Sequence, residues 1–305
     1  MQPVVMRFGG YQQPASIHNR AARHFGAVLE QQLGSRIRFE LSGNVMEHGR
    51  KSGDLPHMVA SGELSFCYIS SVRFTQPVPE FKLLELPFIV PDRTTAHAAF
   101  DGAFGERVSE RMLAATPSRL LGLWDNGFRH LSNRVRPIRQ PADCAGLRIR
   151  TQMSQLHGEV FGTLGFIPVP ADVKDFVAEI AGPRFDAQDN PLTNIYHFGV
   201  HHHHRHITLS GHFFGATVLI CNEAHYQAWP HDMQSAVAEA AREATALQRR
   251  LAAAEDAEVL DKLDPRENEV IRLTPAEHQA FYNAVQPVTE KYRAELAPEW
   301  FAYLR

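Results

Sequence analysis

Long apolar runs are absent from this 305-residue sequence, and no stretch approaches the roughly 20 apolar residues that span a bilayer. Cysteine is scarce: Cys67, Cys144 and Cys221 are odd in number, widely spaced and without a C-x-x-C pair. No disulfide pairing can be chosen from them, and Cys67 and Cys221 sit in apolar runs where cysteine acts as a small buried hydrophobe. Charge of one sign is also missing. With 31 basic and 34 acidic side chains, net charge −3 and no basic block, nucleic acid and anionic membranes are poor partners. Signatures of catalysis are lacking too: there is no G-x-S-x-G elbow, no G-x-G-x-x-G and no Walker A, since Gly49-Arg50-Lys51-Ser52 has no glycine loop before it. The first residues, Met1-Gln2-Pro3-Val4-Val5, carry no basic region followed by an apolar core. If the protein is exported, its signal has been removed from this chain.

What is present is ordinary in amount and informative in order. The content is 44% apolar and 21% charged, and the length suits two domains. Strand-like and helix-like stretches alternate, which predicts α/β architecture with largely parallel sheets. Residues 4–8, 36–41, 64–69 and 119–124 read as strands. Residues 18–33, 55–61, 94–115, 154–165 and 173–181 read as helices. Two further strands are expected at 206–211 and 216–221.

From Pro230 to about Leu263 the chain is rich in Ala, Glu, Gln, Arg and Leu without internal Pro or Gly, which predicts one long helix. Val237, Ala241, Ala244, Leu247, Leu251 and Ala254 are its expected buried stripe. The acidic pairs Glu239/Glu243 and Glu255/Asp256 then read as solvated faces. His201-His202-His203-His204-Arg205-His206 reads as an exposed connection, because adjacent residues diverge and rarely converge on one ion.

The anion-binding signal lies elsewhere. Gly146-Leu147-Arg148-Ile149-Arg150-Thr151 alternates as a short strand, with Leu147 and Ile149 on one face and both arginines on the other. An arginine at a strand end offers a rigid fork suited to a carboxylate. Asp186-Ala187-Gln188-Asp189-Asn190-Pro191 follows and ends in a turn signal that places an amide at an element boundary. These segments resemble the ligand-anchoring pair of the DctP-type solute-binding proteins that serve TRAP (tripartite ATP-independent periplasmic) transporters. Further landmarks occur in the family's order. They are Glu85-Leu86-Pro87-Phe88, Trp124-Asp125-Asn126-Gly127-Phe128-Arg129, Leu164-Gly165-Phe166-Ile167-Pro168, Thr208-Leu209-Ser210-Gly211-His212, and Asn222-Glu223 with Trp229-Pro230.

The resemblance implies a periplasmic-binding-protein-like fold. Two α/β domains, 1–126 plus 215–255 and 127–214 plus 256–305, would flank a ligand cleft, with the long helix spanning both. It implies a periplasmic, non-enzymatic, monomeric subunit that needs no cofactor or metal, and that passes a small organic acid to a TRAP membrane permease. Arg150 matches the carboxylate clamp, Arg129 a second arginine and Asn190 the amide of the turn. Asn126, Ser70, Tyr68, Val173, Trp124, Phe213 and Phe214 complete the expected ligand-binding set. Tyr68 to Ser71, where many relatives carry an acidic or polar residue, and Val173, where sugar-acid binders often carry an aromatic one, depart from the family pattern. These departures argue against a sialic acid, which leaves a hydroxy acid, a uronate or an aromatic carboxylate as ligand. A stand-alone carboxylate sensor, or a hydrolase using the histidines, remains the alternative.

Overall fold

The computed structural model describes residues 2–304. In chain order its elements are β1 (Val4–Gly9), α1 (Ile17–Leu33), β2 (Ile37–Ser42), α2 (Leu55–Ala60), β3 (Phe66–Ser70), α3 (Arg93–Asp101), α4 (Ala103–Ala115), β4 (Ser118–Asn133), β5 (Arg148–Thr151), α5 (Gln155–Thr163), β6 (Ile167–Pro170), α6 (Val173–Glu179), β7 (Ala187–Pro191), α7 (Leu192–His197), β8 (His206–Asn222), α8 (Glu223–Ala228), α9 (His231–Lys262), β9 (Glu269–Arg272) and α10 (Pro275–Arg293). Two compact units emerge, the first from residues 1–78, 97–125 and 216–253, the second from 79–96, 126–215 and 254–305. Residues 79–96, expected in the first domain, thus pack in the second unit.

In the first unit β1 pairs in parallel with β2 and β3, and β3 pairs antiparallel with β8. In the second, β7 lies between β4 and β5, antiparallel to the former and parallel to the latter, and β6 is parallel to β5. The expectation of largely parallel sheets is therefore half right. Helical crossovers join β1, β2 and β3 and join β5 to β6, as parallel pairing requires. β4 and β8 enter each unit from residues of the other, and in that direction they run antiparallel to the strand they meet.

Both strands are longer than expected. β8 merges two predicted strands by passing through Gly211, whose φ of +56° only glycine adopts cheaply. β4 continues past Trp124 through Gly127 at φ +89°. The stretch expected as one helix over 94–115 is split at Gly102 into α3 and α4.

α9 has 32 residues, about 48 Å at helical rise. Its buried line runs Val237, Ala241, Ala244, Gln248, Ala252, Glu255 and Val259, while Leu247 and Leu251 are half-buried and Ala254 is exposed. The expected stripe followed hydrophobic residues at too short a period and drifted off the buried line. Gln248 is buried because its Oε1 accepts from Asp125 N at 2.8 Å and its Nε2 donates to Asp125 O at 2.5 Å. Glu255 meets His197 Nε2 at 2.9 Å and Asp256 pairs with Arg93 at 2.7 Å, so neither is a solvated face. All three cysteines are free and buried, and burial pushes their thiols up.

The first unit's core is aromatic. Phe66 meets Phe25 edge-on at 4.9 Å, and Phe8 touches Phe25, Phe39, Phe66 and Tyr68. In the second unit His157 stacks on Phe213 at 4.4 Å and bonds Glu85 at 2.8 Å, tying the Glu85-Leu86-Pro87 segment to α5.

Candidate functional site

Strand register sorts the second unit's polar residues onto two faces. Arg150 lies opposite Gln188, Gln188 opposite Ser132, and Asn190 opposite His130. Since side chains alternate, these five share one face of β4, β7 and β5, and Arg129, Leu131, Asp189 and Ile149 share the other.

Arg150 is 4% exposed. Its Nε donates to Ala171 O at 2.9 Å and its guanidinium lies 5.6 Å from the centre of the Phe176 ring. A backbone carbonyl on one edge and an aromatic ring on one face hold the plane of the fork. Val173, expected at the ligand, is buried as the first residue of α6, which Asp172 caps by accepting from Lys174 N at 3.0 Å. Asn190 is buried at the C-terminal end of β7, its Nδ2 donating to Gln188 Oε1 at 2.5 Å and its Oδ1 accepting from Asn194 Nδ2 at 3.2 Å.

Arg129 does not stand beside Arg150 as a second fork on the same face. It is 3% exposed, and its Nε and Nη2 donate to Asp189 Oδ2 at 2.5 Å and Asp189 O at 2.6 Å. Burial acts to raise the Asp189 carboxyl, but Arg129 and His212 outweigh it and hold it well below the usual carboxylate range. The ion pair had no sequence signal, because Arg129 and Asp189 are 60 residues apart.

The phenylalanines diverge by the same alternation. Phe213 is in the α5 core against His157 and Phe161, and Phe214 meets Phe128 edge-on at 5.1 Å. Asn126 is 3% exposed, and its Oδ1 has no protein partner among the described residues. His130, which sequence reading missed, accepts from Gly211 N at 3.1 Å. Burial, with His212 and two arginines nearby, pushes it down to about 3, so the ring is neutral.

In the first unit, Tyr68 and Trp124 are fully buried and stack at 5.7 Å, and His18 stacks on Tyr68 at 5.2 Å. The Tyr68 hydroxyl accepts from Tyr11 N (3.3 Å) and Gln12 N (3.2 Å) and donates to Asn19 Oδ1 (3.0 Å). Trp124 Nε1 donates to Thr245 Oγ1 at 3.0 Å. Both aromatic residues are thereby committed to the protein, and Tyr68 acts as the brace of the Tyr11–Gln12 turn. Ser70, the last residue of β3, is half-buried. Gln12 and His18 escaped notice because a turn and a helix start hide their neighbours.

The histidine run is not wholly exposed. His201 stacks on Tyr196 at 4.8 Å, and His204 is completely buried against Ser132. Among the described residues no group of three or more His, Cys, Asp or Glu could hold a metal ion. Cavities of about 510 Å³ beside Phe100, Leu121 and Arg249 and about 490 Å³ beside Met153, Ser154 and Pro168 are lined by none of the expected site residues.

Comparison with known proteins gives this geometry its context. The family model "Bacterial extracellular solute-binding protein, family 7" matches residues 8–295. The 2,3-diketo-L-gulonate-binding periplasmic protein of Escherichia coli strain K12 is 25% identical over 92% of this chain and 84% of its own. A sugar acid binding protein from Advenella mimigardefordensis, solved with galactonate, superposes with TM-score 0.94 over 100% of this chain and 97% of its own, at 23% identity. A TRAP periplasmic solute binding protein from Shewanella oneidensis, solved with succinate, gives TM-score 0.94 over 99% and 98%, at 22% identity. No helix among the described residues is long and apolar enough to cross a membrane. The chain belongs to family 7 of the bacterial extracellular solute-binding proteins, the DctP type that serves TRAP transporters, and is a binding protein rather than an enzyme.

Proposed function

We propose that this protein captures a small organic acid outside the cytoplasm and hands it to a TRAP membrane permease. The observation that carries the reading is the placement of Arg150 and Asn190 on one face of adjoining strands, within a chain that matches the family over residues 8–295. Arg150 would take the ligand carboxylate, its guanidinium plane set by Ala171 O and Phe176. Asn190 would meet a second oxygen of the ligand. Arg129, its charge balanced by Asp189 on the opposite face, is a weaker candidate for direct contact. Relatives named for 2,3-diketo-L-gulonate and galactonate make hydroxylated monocarboxylates the first ligands to try.

A thermal-shift screen with galactonate, erythronate, galacturonate and succinate tests the reading, because a ligand of the folded state stabilises it by RT ln(1 + [L]/Kd). At least one acid should raise the melting temperature, and its amide or ester should not. Equal shifts from acid and amide would refute the carboxylate clamp. Uptake of the same acid into vesicles holding the permease should require the added binding protein, which separates transport from stand-alone sensing.

A further inference from the structure

Asn190 belongs to a chain of five buried side chains joined end to end. Asn194 Nδ2 donates to Asn190 Oδ1 (3.2 Å), Asn190 Nδ2 to Gln188 Oε1 (2.5 Å), and Gln188 Nε2 to Ser132 Oγ (2.6 Å). Ser132 Oγ then lies 2.9 Å from His204 Nδ1. Gln188, Ser132 and His204 are completely buried, and Asn190 and Asn194 are 3% exposed.

Such a chain has a direction. Each amide has one donor end and one acceptor end, so the orientation of one dictates the next. Having accepted from Gln188, the Ser132 hydroxyl has one proton to give, and His204 Nδ1 is the acceptor within reach. In the tautomer where Nδ1 accepts, the His204 proton sits on Nε2, an atom with no protein partner among the described residues. Ser132 then has no proton left for Gln188, so Gln188 must be the donor. With the proton on Nδ1 instead, the Ser132 hydroxyl, with two lone pairs, accepts from His204 whichever way the amides run, and their direction is left open. Burial, with Arg134 nearby, pushes His204 down to about 3, so the doubly protonated ring is not populated near neutral pH.

We propose that Gln188, Ser132 and His204 are positioning residues that fix the Asn190 amide so that its second N–H, and not its carbonyl, meets the ligand. The carbonyl is occupied by Asn194 and one N–H by Gln188; the other N–H has no acceptor among the described residues. The ligand must therefore place a hydrogen-bond acceptor there, a carboxylate or hydroxyl oxygen, and a cationic amine at that point is rejected. This inference rests on the reading of Asn190 as a ligand anchor.

The test is heteronuclear NMR of the histidine ring nitrogens in the full chain, alongside calorimetric titration with galactonate, erythronate, galacturonate and succinate. The wild-type protein should show His204 protonated on Nε2 with Nδ1 as acceptor. Ser132→Ala should mix the His204 tautomers and weaken the bound acid about tenfold, the effect of one lost hydrogen bond, and Ser132→Thr should restore both. A proton on Nδ1 in the wild type, or Ser132→Ala with tautomer and affinity unchanged, would overturn the proposal. If no acid in the panel binds, the functional reading fails alone and the tautomer still decides whether the direction of the chain is fixed. The wild-type tautomer also decides it where Ser132→Ala fails to fold.

Discussion

Arg129 and Asp189 form a fully buried ion pair, Nε to Oδ2 at 2.5 Å, with side-chain exposures of 4% and 0%. A buried pair of this kind contributes little net stability when intact, since desolvation of both charges offsets their attraction. Breaking it is another matter.

Asp189→Asn should leave the Arg129 charge uncompensated and cost about 3–5 kcal/mol in urea unfolding. The same substitution should alter the acid limb of stability. The Asp189 carboxyl titrates well below its unfolded value, so its contribution is fully present above about pH 4 and is lost as pH falls further. A loss below 1 kcal/mol would show that the Arg129 charge is solvated in a way the geometry does not predict.

His130 and His204 give a second, separable pH dependence. Both are pushed down to about 3, chiefly by burial, so the unfolded chain binds protons more readily than the folded one. Stability should be flat above about pH 7 and fall between about 6.5 and 3, by roughly 1.4 kcal/mol per pH unit for each histidine. Unfolding at a series of pH values reads the slope, and His130→Asn should reduce it. An unchanged slope would place the dependence on other groups.

Arg150→Ala should weaken whichever acid the screen identifies by about 30-fold to several-thousand-fold, the effect of about 2–5 kcal/mol for truncating one partner of a buried, hydrogen-bonded charge pair. Arg150→Lys should also bind poorly, because a point ammonium reproduces neither the bond to Ala171 O nor the plane over Phe176. Calorimetry deciding otherwise, with affinity within about threefold of the parent, would remove Arg150 from the site.

Tyr68→Phe should cost about 1–3 kcal/mol without altering the stack on Trp124. The missing hydroxyl takes from Asn19 Oδ1 its donor and from the Tyr11 amide one acceptor, while Gln12 N keeps its bond to Gly43 O at 3.2 Å. Near-neutral unfolding energetics for this variant would mean that water reaches the turn.

By itself the sequence determined the α/β class, the long helix after Pro230 and the strand that carries Arg150, because periodicity, capping and breaker residues act over neighbouring positions. The ordered landmarks from Glu85-Leu86-Pro87 to Trp229-Pro230 likewise carried the family, which the match over residues 8–295 shows. Tertiary structure decided what periodicity cannot encode. Gln248 and Glu255 lie on the buried line of α9 only because Asp125 and His197 supply partners from distant segments. Arg129 and Arg150 look equivalent as strand arginines, yet pairing with β7 from its two sides, by β4 and by β5, sets the first against Asp189 and the second beside Gln188. Within a strand, parity names two faces without saying which neighbour occupies each, and that choice is made by register across residues far apart in the chain.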